Sequence, residues 1–380
     1  MLEGLKVLDF SRYLPGPFAS LRLAEWGAEV VKVESKPHGD PARKMMPYVH
    51  EAGAVYLACN HGKKSLFVDL KQEAGLHLVH ELMARADVVI ESFRPGVADQ
   101  IGIGYQKARE LNPQIVYCSL SGYGQSGTMQ RFGGHDINYM AVSGMLDGIM
   151  GATDTPSVPD VTVADLAGGM AATEAILAAT IRRFKTGEGA HLDVSLVDAL
   201  LSWQGVNAMM TQSHGASLGG KLREVVSYQV YATQDGRWMA FGALEPKFWM
   251  NFCEAVGKQE WIPAHLSPAV EGEAIFEEMK ALFRSHDFAY WTRLAGSIDA
   301  CLTPVLTLTE ALNSPLAAER GFLATARFLD EKVGVVRAVA GLSAEEAHIS
   351  DLGEHSQKIL SRWLGLDDAA IDEWKQKGVI

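Results

Sequence analysis

The sequence predicts an α/β protein built on an open parallel sheet. Three observations carry that prediction. Short β-branched runs alternate with helical segments through the first 120 residues, and glycines and prolines punctuate them. The chain, at 380 residues and 48% hydrophobic side chains, is also long and apolar enough to bury a large core. Strands alternating with helices are joined by β-α-β crossovers, which set neighbouring strands parallel.

Each element follows from its residues. Residues 6–10 (KVLDF) form a short apolar run bounded by Gly4 and a Pro15-Gly16-Pro17 turn. Residues 18–26 have helical spacing and stop at Gly27, and residues 29–34 (EVVKVE) read as the second strand. Residues 65–69 read as the third strand, followed by a helix over about 72–85. Residues 87–91 (DVVIE) form a strand that ends at Arg94-Pro95-Gly96. Residues 115–120 (IVYCSL) form another, closed by the glycine-rich stretch 122–127. The pattern is Rossmann-like. The first strand, however, leads into Arg12-Tyr13-Leu14-Pro15-Gly16-Pro17 and not into G-x-G-x-x-G, so a nicotinamide or flavin cofactor is not indicated.

Further along, residues 163–184 form a long helix rich in alanine and glycine, stopped by Thr186-Gly187-Glu188-Gly189. Residues 191–197 read as a strand leading into the next helix. The composition shifts to Ser, His and Gly around 213–221, which suggests a linker, and the length supports two domains. Residues 226–232 and 237–242 flank a D-G turn and predict a hairpin. Amphipathic helical sequence follows to about 312, and residues 355–380 are helical and charged.

Composition narrows the function classes. A formal net charge of −12 disfavours bulk attraction to nucleic acid or to an anionic membrane, though a local basic pocket for a phosphorylated ligand remains compatible. The opening MLEGLKVLDFSRYL lacks the basic and apolar regions of a signal peptide. No run of 18 apolar residues appears, the longest candidate being 171–181. The four cysteines, Cys59, Cys118, Cys253 and Cys301, are scattered without a C-x-x-C pair. Reduced thiols in a cytoplasmic protein are the expectation, with no metal site.

Three places carry candidate chemistry. In Gly133-Gly134-His135-Asp136-Ile137-Asn138-Tyr139, two glycines place a histidine and an aspartate at a helix start, where free N–H groups suit an anion. The plainer reading makes Asp136 a helix cap and His135 an ordinary surface residue. In Ala164-Asp165-Leu166-Ala167-Gly168-Gly169, an aspartate opens a small-residue helix, as an N-cap or as a base or nucleophile. In Gly242-Ala243-Leu244-Glu245-Pro246, Glu245 stands at another helix start. Lys36, Arg43, Lys63, Lys64 and Arg94 are surface charges or, beside strand ends, a phosphate site. Met140, Met145, Met150, Met209 and Met210 are core packing or an adaptable acyl path.

Taken in order, these motifs resemble the family III CoA-transferase superfamily (CaiB/BaiF type), and within it the α-methylacyl-CoA racemase branch. The resemblance rests also on the stretch Leu23-Ala24-Glu25-Trp26-Gly27-Ala28-Glu29-Val30-Val31-Lys32-Val33-Glu34, on Asn60-His61-Gly62-Lys63-Lys64-Ser65 and on Phe93-Arg94-Pro95-Gly96. It extends to Gly122-Tyr123-Gly124-Gln125-Ser126-Gly127 and Asp299-Ala300-Cys301-Leu302-Thr303-Pro304-Val305. It implies a Rossmann-like large domain made from both chain ends, a smaller α+β domain, and an interlocked homodimer with the site between subunits. The corresponding boundaries are 1–212 for the first part of the large domain, 213–225 for the linker, 226–325 for the small domain and 326–380 for the returning segment.

The resemblance implies an acyl-CoA substrate, with CoA part of the substrate and no cofactor for the chemistry. Transferases of this family use the aspartate matching Asp165 as nucleophile, and racemases use it as an acid/base. Gly134-His135-Asp136-Ile137-Asn138-Tyr139 is similar to the racemase motif, as is Glu245, which there orients the histidine. The implied catalytic set is His135, Asp165, Glu245 and Asp136, with Arg94, Lys36 and Arg43 near the CoA nucleotide. Two stretches depart from the racemase pattern. Gly219-Gly220-Lys221 through Ser227-Tyr228-Gln229 stands where the racemases carry a Leu-Asp-Gly-Gly-Ala-Pro type motif, with its Ser-Tyr-Gln part more like a transferase, and Leu166-Ala167-Gly168-Gly169 stands for Phe-Gly-Gly-Gly. Racemisation is the expected activity and CoA transfer to a free acid the alternative, with an inactive CoA-ester-binding protein a third reading.

Overall fold

The computed structural model describes residues 1–35, 38–150, 157–337 and 347–380. Its centre is a six-stranded sheet of β1 (Lys6–Asp9), β2 (Glu29–Glu34), β3 (Lys64–Phe67), β4 (Val88–Glu91), β5 (Val116–Ser121) and β6 (Ala190–Ser195). Every pairing is parallel, and the order is β3-β2-β1-β4-β5-β6. Alternate side chains enter two cores. Leu8, Val31, Leu66 and Val89 face one side, and Val7, Val30, Val88 and Val116 the other. Burial on both faces gives the inner strands apolar runs such as VVIE, whereas the edge strand β6 is half exposed.

The strand order reverses between β1 and β4, where open α/β sheets bind ligands beyond the carboxyl ends. Loops following those two strands meet there. The Arg12 N–H donates to Ser92 Oγ at 3.0 Å, and the Arg12 guanidinium lies 5.1 Å from the Phe93 ring centre.

Helix α1 (Pro15–Glu25) starts inside the expected Pro15-Gly16-Pro17 turn. Proline has no N–H to lose at a first helical position and presets φ, so the motif opens the helix. Helix α2 (Asp136–Val142) and helix α3 (Val163–Thr186) follow β5. A Cβ on Gly168 would lie 2.0 Å from Leu196, and one on Gly169 would lie 2.7 Å from the Pro15 carbonyl. Glycine at 169 lets α3 seat closely against α1, and glycine at 168 makes room for Leu196 just after β6. Gly187, at φ +71°, ends α3 in the left-handed conformation.

By length and composition alone α3 is long and apolar enough to cross a membrane, contrary to the sequence reading. Half of its apolar window is buried inside the molecule, as befits a core helix.

The chain divides into two compact units, Met1–Trp203 with Pro315–Ile380, and Gln204–Ser314. In the second, β7 (Tyr228–Ala232), β8 (Trp238–Gly242) and β9 (Leu302–Pro304) form an antiparallel sheet in the order β9-β8-β7. It covers an aromatic core of Tyr231, Phe241, Trp249, Phe252, Phe283 and Trp291. The stretch 213–225, read from composition as a linker, holds the end of Gly205–His214 and the short helix Leu218–Leu222.

The returning segment adds β10 (Leu323–Phe328), β11 (Glu331–Val336) and β12 (Ala347–Ile349), none of which the sequence reading placed. The expected helical tract 355–380 is broken after Leu364 by Gly365 at φ +73°. Ile359, Leu360, Trp363, Ile371 and Val379 join one of the two sheet cores.

Candidate active site

His135 is the N-cap of α2, with an exposed imidazole. Its N–H donates to Asn138 Oδ1 at 3.0 Å. The two preceding glycines are sites of close approach. A Cβ on Gly133 would lie 2.7 Å from Arg94 Nη2, and one on Gly134 would lie 2.8 Å from the Tyr139 ring. The glycines thus let the His135 turn lie between Arg94 and Tyr139.

Asp136 does not cap its own helix, as the plainer sequence reading had it. Its Oδ1 accepts from the N–H of Ala164 at 2.7 Å and of Asp165 at 3.1 Å. These are first-turn donors of α3, which has no cap from its own N-cap residue Thr162. Asp165 is therefore not a cap either, since the carboxylate from α2 does that work. This bond pair ties the start of α2 to the start of α3 and brings His135, Asp136 and Asp165 together.

The Asp165 carboxylate is partly buried, and among the described residues no donor reaches it. Burial, and then the nearby charge of Asp136, push its pKa up from 3.8 to about 7. The positive end of α3 would favour the anion, but burial outweighs it here. Replacing Asp136 with Ala is expected to cost about 0.5–2 kcal/mol through the lost cap. It should also move the Asp165 titration to lower pH. Thermal melts and carboxyl titration by NMR check the two effects.

Among the expected nucleotide-end cations, Arg94 keeps a free head. It is exposed, follows β4 at the strand-order reversal, and meets no carboxylate among the described residues. Arg43 differs from expectation. It is buried, and its Nε and Nη2 grip Glu34 at 2.8 and 2.7 Å, with Nη2 also donating to the Ser350 carbonyl at 3.2 Å. A guanidinium so occupied is an interior strut, and sequence spacing did not reveal Glu34 as its partner.

Lys63 is likewise interior, donating to the Pro17 carbonyl and Asn60 Oδ1 at 2.8 Å each and to Asp9 at 3.3 Å. Lys64 pairs with Glu29 at the opposite, amino end of the sheet. There a cleft of about 310 Å³, lined by Lys6, Glu29, Lys64 and Arg362, holds none of the candidate catalytic residues. Lys36 lies outside the described residues.

Glu245 belongs to the second unit, as the exposed N-cap of helix α4 (Pro246–Ala255). Of the methionines, Met140 is fully buried in the core and Met145 packs against it, whereas Met209 is exposed. Sequence reasoning missed the roles of Asn138 and Tyr139, whose partners lie in the turn just before them. Among the described residues no cluster of three His, Cys, Asp or Glu side chains could hold a metal.

The sequence model described as CoA-transferase family III matches residues 2–356. A Mus musculus protein named alpha-methylacyl-CoA racemase is 33% identical over 380 residues, covering 96% of this chain and 93% of its own. A Homo sapiens protein named succinyl-CoA:glutarate CoA-transferase is 31% identical over 394 residues, covering 100% and 90%. Among solved structures, a CAIB/BAIF family protein from Brucella suis superposes with a TM-score of 0.80 at 28% identity, over 95% of this chain and 99% of that one. The chain belongs to CoA-transferase family III.

Proposed function

We propose that this chain acts on acyl-CoA thioesters and interconverts the epimers of 2-methylacyl-CoA by 1,1-proton transfer through an enolate. Asp165 carries the reading. A carboxyl pushed to about 7 by burial and by Asp136 has both protonation states populated near neutrality. A group that takes a proton in one direction and returns it in the other needs both. His135, held to the same place through Asp136, is the second acid/base.

The substrate suits such a pair. Sulfur donates poorly into the thioester carbonyl, so the α-hydrogen is acidic for a carbon acid. One group removes it from one face, the electron pair passes to the thioester oxygen, and the other group protonates the opposite face. Arg94 is assigned to the phosphates of CoA, and Lys36 joins it on the family resemblance. Glu245 is assigned to orient His135 on the same ground.

The homodimer belongs to this proposal. Ile137 at 37%, Val142 at 50% and Met170 at 45% exposure leave apolar side chains uncovered on α2 and α3, as surfaces that meet a partner do. The proposed assembly is the interlocked dimer, with a large and a small domain in each subunit, in the cytoplasm.

The second reading is CoA transfer to a free carboxylic acid. It is favoured by the transferase name of the human relative and by Ser227-Tyr228-Gln229. There an ionised Asp165 would attack the thioester carbonyl, the C–S bond would break, and CoA would leave as thiolate while the acyl group stays on Asp165 as a mixed anhydride.

Incubation with a 2-methylacyl-CoA in D2O, without any acid acceptor, separates the two. The racemase reading expects α-deuteration with loss of stereochemical purity by NMR. No exchange across a range of acyl chains, with CoA moving to an added acid, would replace it by transfer.

A further inference from the structure

The peptide group between Gly134 and His135 is held at both of its polar ends by side chains of the helix it opens. The Tyr139 hydroxyl donates to the Gly134 carbonyl at 2.6 Å. The His135 N–H donates to Asn138 Oδ1 at 3.0 Å. Beyond that peptide, the His135 carbonyl accepts from the Asn138 N–H at 2.8 Å. The backbone on both sides of the His135 Cα is therefore fixed by residues three and four positions on.

The Tyr139 ring is itself immobilised. It is only 8% exposed, and its edge lies where a Cβ of Gly122 or Gly134 would stand, 2.3 and 2.8 Å away. Tyr123 meets it edge to face, with centroids 5.1 Å apart and planes at 71°. Burial, with Tyr123 and then Asp165 adding to it, pushes the phenol up to about 12, so the hydroxyl keeps its proton and stays a donor.

We infer that Asn138 and Tyr139 are positioning residues that clamp the Gly134–His135 peptide and thereby aim the His135 imidazole at the reacting carbon. This rests on the reading of His135 as an acid/base. An exposed imidazole at the end of a glycine pair has little else on its own element to direct it. A misplacement of about 1 Å in a proton-transfer group costs on the order of 100-fold in rate.

The test compares Tyr139→Phe, Asn138→Leu and Asn138→Asp in the full chain. Tyr139→Phe keeps the ring and removes the donor. Asn138→Leu removes the acceptor, and Asn138→Asp restores one. The first two are expected to lower kcat for α-proton exchange about 10-fold or more, with KM changed by less than about twofold. Asn138→Asp is expected to stay within about threefold of the parent. A purely structural role would instead lower melting temperature and kcat together and would not separate Leu from Asp.

An independent readout is the ¹⁵N signal of the His135 ring, assigned by its loss in His135→Gln. It should broaden or change tautomer balance in Tyr139→Phe and Asn138→Leu. Unchanged kcat and an unchanged ring signal in both variants would overturn the clamp. Should the parent protein show no α-exchange, the functional reading fails, and the ring signal still decides the clamp.

Discussion

Asp165→Asn is expected to lower α-proton exchange by about 100- to 10,000-fold, the usual worth of a positioned acid/base, and to make the protein more stable above neutral pH. The two effects share one cause. The folded state raises this carboxyl from 3.8 to about 7, chiefly by burial. In the unfolded chain it ionises near its ordinary value. Below that value both states hold the proton and the group is neutral in the balance. As pH rises towards 7 the unfolded state releases its proton first, so stability falls, and above 7 the folded state carries the full cost of a buried anion.

Asn is close in shape to the protonated acid and carries no charge. It should gain about 1–4 kcal/mol at pH 8 and little below pH 4. Urea denaturation of both forms at the two pH values measures this. A variant no more stable at pH 8 than its parent would mean that Asp165 ionises without strain, and the acid/base assignment would lose its support. His135→Ala separates the readings further: it should abolish exchange in a racemase and leave CoA transfer largely intact.

The second large effect lies away from the chemistry. Arg43→Met is expected to destabilise the protein by about 3–5 kcal/mol, because it leaves Glu34 as a buried carboxylate without its bidentate partner. Glu34 is 2% exposed, Ser65 donates to it at 2.8 Å, and its pKa is held below the ordinary value although burial acts against this. Replacing both residues, as Arg43→Met with Glu34→Gln, should recover much of the loss, since no unpaired charge then remains. Denaturant unfolding of the single and double variants gives the comparison. A loss below about 1 kcal/mol for Arg43→Met would place the pair among exposed ion pairs of small net worth.

The sequence made the sheet legible because its inner strands are buried on both faces, which writes EVVKVE and DVVIE as β-branched strand runs. Helix ends marked by glycine were legible for a similar local reason, Gly187 being the case in point. What stayed hidden depends on partners distant in sequence or on small geometric choices. Pro15-Gly16-Pro17 spells a turn as readily as a helix start, and only the docking of Gly169 on Pro15 decides it. Strands β10 and β11 bury few of their residues and β12 has only three, so they carry little apolar signal. Arg43 as a phosphate contact was a reasonable expectation from charge alone, and Glu34 takes that charge inside. Asp136 caps a helix that starts 27 residues later, which no local spacing announces. His135 and Asp165 could be nominated from their motifs, but their connection through Asp136 could not.

The returning segment makes the birth of this chain a matter of timing. The Asp69 N–H donates to the Val379 carbonyl, and Gln72 Nε2 donates to the Gly378 carbonyl, a partner 306 residues further along. At ordinary rates of synthesis that separation corresponds to about 15–60 s on the ribosome. Throughout that interval the sheet's first strands are outside the tunnel, while the surface that Trp363, Ile371 and Val379 will cover stands open. Gln204–Ser314, continuous in sequence, can close around its aromatic core before the unit that flanks it. The nascent amino-terminal half is thus the stage at which a chaperone would be most needed, and changes in the last twenty residues should be felt as poor yield before they are felt in catalysis.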